Sequence, residues 1–216
     1  MNTGTAFGAV AGPGQGGTAV SGPLDERLPD VIRSALAELV TGHPTIMRLA
    51  VTQRAKFEGW LKLELAGKLT ELGLSNVQFE TPYQGGRADL SFGPDDRRAL
   101  VELKTCNTNY RMPGCKPLTR PITKNVQDIC ADCRNLQSAP DGGIMAFVMF
   151  PVPLHGQARG KAESRLQRQL DRIRLAAGLV RPPADEFVPV TEHAGLLVYA
   201  FAVQPDGGAA SDQGGI

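Results

Sequence analysis

The run Ile144-Met145-Ala146-Phe147-Val148-Met149-Phe150, entered from Gly143, is apolar at every position. A strand apolar on both faces is stable only at the centre of a sheet that is covered on both sides. This one segment therefore rules out a sheet with one face in water. It demands enough chain to build layers around it. The 216 residues, 42% hydrophobic and 21% charged, supply that for one ordinary domain.

Helical periodicity supplies the layers. Asp30 can cap a short helix carrying Val31, Ile32, Leu36, Leu39 and Val40 and ending near Gly42-His43-Pro44. A longer helix is expected from Pro44-Thr45 to about Leu72, closed by Gly73, with Phe57, Leu61, Leu65 and Leu72 as its apolar stripe. Pro121 suits the first turn of a helix reaching about Leu136, and a basic helix spans about Lys161 to Ala177. The remaining strands are Asn76 to Thr81, the two described next, and Leu196 to Val203. The segment Cys106 to Arg120, with Pro113-Gly114 and Pro117, reads as irregular. Gly-rich residues 1–23 and Gly-, Ser- and Asp-rich residues 204–216 read as flexible tails around a compact unit of residues 24–203.

Two short runs carry the chemistry. In Arg97 to Thr105 a period of two places Ala99, Val101 and Leu103 on one face and Leu100, Glu102 and Lys104 on the other. In Arg87 to Phe92, Ala88, Leu90 and Phe92 oppose Asp89. The turn residues Gly93-Pro94-Asp95-Asp96 join the runs as a hairpin. Asp89, Glu102 and Lys104 can then converge on one face of one sheet. Two carboxylates suit a Mg²⁺ ion that keeps several of its waters, and a nearby ammonium can orient water or offset transition-state charge. The competing reading is an exposed Glu102–Lys104 ion pair on a strand.

Arg87-Ala88-Asp89-Leu90, a turn, and Val101-Glu102-Leu103-Lys104 resemble the core of the PD-(D/E)xK nuclease superfamily, with Ala88 where the motif's name has proline. Phe57 to Leu65 resembles that family's first core helix, and Thr123 to Ile129 its polar-edged helix after the catalytic strand. The resemblance covers roughly residues 46–150. It implies an α/β restriction-endonuclease-like fold, an αβββαβ core in which helices flank a central mixed sheet. It also implies a Mg²⁺- or Mn²⁺-dependent nuclease, a chemistry more than a substrate, with DNA the first expectation and RNA the second. In that reading Asp89 and Glu102 hold the metal and Lys104 positions or activates water. Glu58 completes the coordination, with Glu64 the other candidate. Lys124, Gln127 and Asp128 border the face. On a helical wheel Glu58 falls within the apolar stripe, so it needs a partner, either a metal or Arg54 one turn earlier. A non-catalytic nucleic-acid-binding or protein-interaction module on the same fold is the competing class.

Lys161, Arg165, Arg168 and Arg172 form a stripe opposite Ala162, Leu166, Leu170 and Ile173. It reads either as a phosphate-binding surface or as a solvated face. Net charge is +1, so any nucleic-acid surface must be local. Cys106, Cys115, Cys130 and Cys133 could bind zinc, but Cys130 and Cys133 sit one helical turn apart and read more simply as buried small hydrophobes. A structural zinc protein is thus a third class. His43, His155 and His193 form no motif. No apolar stretch reaches the ~20 residues of a membrane span. The first 22 residues lack Lys and Arg, unlike a secretory signal, so a cytoplasmic setting is the default expectation.

Overall fold

The computed structural model describes residues 26–95, 97–117, 121–154 and 157–206, with side chains left out at 157–162. The expected tail at 1–23, most of that at 204–216, His155 and the side chains of Lys161 and Ala162 lie outside the described residues. The chain runs α1 (Leu28–Gly42), α2 (Pro44–Gln53), α3 (Glu58–Glu71), β1 (Gln78–Tyr83), β2 (Gly86–Phe92) and β3 (Ala99–Asn107). It continues through α4 (Ile122–Gln137), β4 (Gly143–Pro153), α5 (Gln157–Ala176), β5 (Asp185–Pro189) and β6 (Ala194–Val203). It is an α/β fold with one six-stranded mixed sheet, ordered β1-β2-β3-β4-β6-β5. No described helix is long and apolar enough to cross a membrane.

The central strand is β4, buried along its whole length. It pairs parallel with β3 through the α4 crossover and antiparallel with β6. Alternate residues feed two separate cores. Ile144, Ala146, Val148 and Phe150 pack with α1, α2 and α3, whereas Met145, Phe147 and Met149 pack with α4 and α5. The apolar run thus has to be covered twice, and the helices divide between the two faces to do so. Phe147 stacks on Tyr199 of β6 at a centroid distance of 4.7 Å, which fixes the α4–α5 side.

Several boundaries differ from the sequence reading. The expected long helix is two, α2 and α3, broken at Arg54, whose backbone is left-handed (φ 56°). Its buried guanidinium donates to the carbonyls of Thr108, Tyr110 and Lys116, and its carbonyl accepts from Asn107 Nδ2. Those tertiary bonds outweigh local helix propensity. The break also moves the α3 stripe to Leu61, Leu65 and Leu69, while Leu72 is 51% exposed just past the helix end. Asp30 lies in the first turn of α1, paired with Arg33 at 2.8 Å, and does not cap it. Strand β5, polar at Asp185 and Glu186, was not anticipated; it is a short edge strand, where such residues discourage further pairing.

Candidate active site

The geometry of the site begins with a fork between β2 and β3. The two strands pair at Phe92–Ala99, Ser91–Leu100 and Leu90–Val101, and pairing stops there. Backbone amides alternate edges along a strand, so Leu103 and Thr105 face the edge that β2 vacates. Buried amides need acceptors, and two carboxylates supply them. Asp89 Oδ2 accepts from Leu103 N at 2.8 Å, and Glu58 Oε2, from the first turn of α3, accepts from Thr105 N at 2.7 Å. The fork also breaks the expected alternation of β2. Ala88 packs with the α4 side, whereas Leu90 and Phe92 pack with the α3 side.

Glu102 and Lys104 project from β3 on the α4 side. Lys104 Nζ lies 3.9 Å from Asp89 Oδ2, 3.8 Å from Glu102 Oε2 and 3.2 Å from Asp132 Oδ2. The exposed-ion-pair reading of Glu102 and Lys104 is therefore incorrect in one respect, since Glu102 is only 6% exposed. Arg54 is committed to carbonyls, so the alternative Glu58–Arg54 pairing does not form. Glu64 is half-buried on α3, and no bond ties it to the fork.

Two members of the cluster escaped the sequence reading. Asp132 of α4 is the nearest carboxylate to Lys104, its buried Oδ2 ion-paired with the ammonium at 3.2 Å. Lys62 of α3 reaches Asp89 Oδ1 at 2.6 Å and Glu80 at 2.9 Å. Both had a signal at helical spacing: Asp132 follows Asp128 by four residues, and Lys62 follows Glu58 by four. The expected bordering residues Lys124 and Asp128 pair with each other at 3.5 Å, and Gln127 is exposed.

Asp89, Glu102, Asp132, Glu58 and Glu80 set five carboxylates against the two ammonium groups of Lys62 and Lys104. Burial, then the neighbouring Asp89 and Asp132, push Glu102 up to about 8, against the pull of Lys104. Burial likewise raises Asp132, with Lys104 opposing. For Lys104 burial works against the charged form, but Asp132, Asp89 and Glu102 outweigh it and hold the pKa above the ordinary lysine range. Lys104 is thus an ammonium at neutral pH, fitted to hold water or face negative charge rather than to take up a proton. Tyr83, whose buried hydroxyl has no hydrogen-bond partner, is raised to about 12 by burial and then by Glu102.

A pH dependence follows. Between the ordinary 4.5 and about 8, the folded protein keeps a proton on Glu102 that the unfolded chain has already released. Stability of the metal-free protein should therefore fall as pH rises through that window, and Glu102→Gln should flatten the slope. Urea midpoints of both proteins across the window measure it. Equal slopes would contradict the placement of Glu102.

The donor set fits a hard divalent cation. Its oxygens are carboxylates, and five of them face two ammonium groups, so the cluster is short of positive charge. Among the described residues no three His, Cys, Asp or Glu side chains form a ready-made metal cage. Mg²⁺ commonly uses only one or two carboxylates and keeps its waters. The cysteines are free thiols divided by the sheet. Cys115 packs on the α3 side, while Cys106, Cys130 and Cys133 are buried on the α4 side. His43 Nδ1 donates to Leu39 O at 2.9 Å and packs edge-on against Trp60, and His193 pairs with Glu192.

Arg165, Arg168 and Arg172 are exposed on α5 while Leu166, Leu170 and Ile173 are buried beneath them. No protein-family model, curated protein or solved structure matches the chain.

Proposed function

We propose that the chain is a metal-dependent nuclease of the restriction-endonuclease-like fold, hydrolysing phosphodiester bonds of nucleic acid, with DNA the first substrate to test and RNA the second. The observation that carries this reading is the fork. It brings Asp89, from one strand, beside Glu102 and Lys104 of the next, in a buried cluster with excess negative charge. The succession of α3, three strands, α4 and β4 supports the fold assignment.

Asp89 and Glu102 would hold Mg²⁺ or Mn²⁺, with Asp132 or Glu58 within the same cluster. The ion, when bound, supplies a Lewis acid and a water acidified enough to attack phosphorus. Asp132 fixes the Lys104 ammonium from the α4 side. Lys104 then faces the water or the charge that develops on the phosphoryl oxygens. Lys62 steadies Asp89 from the α3 side, and Leu103 N fixes its other oxygen. Such holding keeps reacting groups from drifting, which is where positioning gains its rate.

Millimolar Mg²⁺ or Mn²⁺ should raise the melting temperature by mass action and support cleavage of DNA. Ca²⁺ should stabilise as well yet support little turnover, because its looser geometry positions water poorly. An unchanged melting curve together with turnover in EDTA would refute the metal assignment. Binding of nucleic acid without cutting, across single- and double-stranded DNA and RNA, would favour the binding-module reading instead.

A further inference from the structure

A cavity of about 250 Å³ opens where the start of α4, the segment after β3 and the outer face of α5 meet. Asn109, Tyr110, Thr123, Arg165, Arg168 and Gln169 supply its polar lining. Each of these side chains can donate a hydrogen bond, and no carboxylate is among the cavity's residues. Arg165 and Arg168 are exposed and, among the described residues, make no ion pair. Lys62, Lys68, Lys104, Lys124, Arg33 and Arg98 all have carboxylate partners. Two guanidiniums in one concavity without a counter-charge repel each other, and an anion between them relieves that.

The wall of the cavity is fixed without any ligand. Arg54 binds the carbonyls of Thr108 and Tyr110 on either side of Asn109. Thr108 in turn donates its amide to Phe150 O at 2.7 Å and its hydroxyl to Pro151 O at 2.5 Å. Little ordering cost remains to be met on binding. No side chain caps α4 at Pro121, and Ile122 and Thr123, whose amides begin the helix, line the same cavity as the guanidiniums. Arg172, the third arginine of the stripe, does not line the cavity and bonds Gln169 Oε1 at 3.2 Å.

We infer that this cavity binds a backbone phosphate of the DNA strand whose scissile bond lies at the Asp89–Glu102–Lys104 cluster. The strand's identity rests on the proposed nuclease reading; the anion chemistry of the cavity does not. Guanidinium forks match phosphate oxygens in pairs. Both places lie on the α4 side of the sheet, and α4 spans them, from Thr123 at the cavity to Asp132 at the cluster. At a rise of about 1.5 Å per residue that stretch is roughly 13 Å. The backbone winds about the duplex axis as it rises about 3.4 Å per nucleotide, so a phosphate at that distance is on the order of two to four steps from the bond that is cut.

Fluorescence anisotropy with a short DNA duplex in Ca²⁺, at several salt concentrations, tests the inference on the full chain without requiring cleavage. The wild type should bind. R165Q/R168Q should bind on the order of tenfold more weakly, with the slope of log affinity against log salt flatter by up to ~1.8, about 0.9 for each lost phosphate contact. R134Q/R181Q removes the same net charge from other exposed positions and should stay within about twofold of wild type. R165K/R168K should keep most of the salt slope, since the charge remains, while losing the paired geometry. The inference is overturned if the wild type does not bind, if R165Q/R168Q matches wild type in affinity and slope, or if R134Q/R181Q loses as much. Cleavage of the same duplex in Mg²⁺ is scored separately. Selective loss of binding in R165Q/R168Q with no cutting by any protein would uphold the phosphate site and refute the nuclease reading.

Discussion

Lys104→Ala should stop phosphodiester cleavage while leaving the affinity for Mn²⁺ in place. The Lys104 ammonium lies 3.2–3.9 Å from three carboxylates, so it is held at a defined point without being a metal donor itself. Its pKa stands above the ordinary lysine range, chiefly because Asp132, Asp89 and Glu102 outweigh the effect of burial. In the proposed mechanism it acts on the attacking water and on charge that appears only in the transition state. Removing such a group lowers turnover without weakening ground-state binding. A loss on the order of 10²–10³ in rate is the usual cost of one such stabilising donor. Removing a positive charge from among Asp89, Glu102 and Asp132 should, if anything, favour a divalent ion. Single-turnover cleavage under saturating Mg²⁺, beside Mn²⁺ titration calorimetry, reads the two effects apart. An ion pair with no catalytic part predicts wild-type rates, with the whole effect on stability, because Glu102 and Asp132 are left buried without their counter-charge.

Arg54→Ala should have the largest effect on stability. The guanidinium is buried and serves three backbone carbonyls of the 108–116 segment, and among the described residues no carboxylate pairs with it. Burial lowers its pKa, with nearby Cys115 opposing. Without the side chain, those acceptors lose their donors. At about 1–3 kcal/mol for each buried group left unsatisfied, and with some access for water, a loss of roughly 3–5 kcal/mol is expected. Arg54→Lys should recover little of it, because one ammonium on a flexible stem cannot reproduce three divergent N–H donors. Urea unfolding measures both variants. A loss below about 1 kcal/mol for the alanine variant would mean that the segment is held by other contacts.

What the sequence made legible was local. The apolar run at Ile144–Phe150 required two covering layers, and the turn at Gly93-Pro94 joined the strands carrying Asp89 and Glu102. Both signals depend on residues close together in the chain, where periodicity and turn chemistry operate. The break at Arg54 was hidden because its cause lies more than fifty residues away, at the carbonyls of Thr108, Tyr110 and Lys116. Asp89 was expected on the face opposite Ala88, Leu90 and Phe92. Its actual role at a fork could not be read from alternation, which assumes that the strands stay paired. Asp132 and Lys62 sat in plain view at four-residue spacing, but a single charge on a helix usually means a solvated face. Only the packing of α3 and α4 against opposite faces of the sheet brings those two side chains to one cluster.

The carboxylates at the fork have a structural duty, capping the vacated edge of β3, and a proposed chemical one, holding a divalent ion. Mn²⁺ titration calorimetry of wild type, Asp89→Asn and Glu102→Gln separates the two most directly. Asparagine keeps an oxygen for Leu103 N, and glutamine keeps the volume of Glu102, so both variants should remain folded with the edge still capped. Each loses a negative charge that a hard cation needs. The account predicts that wild type binds Mn²⁺ and that each variant binds it on the order of a hundredfold more weakly, with both metal-free variants folded and Glu102→Gln melting above wild type at neutral pH, where the buried Glu102 carboxyl costs stability. Undiminished Mn²⁺ affinity in both variants would contradict it, and would leave Asp89 with the strand edge and Glu102 with the Lys104 ion pair alone.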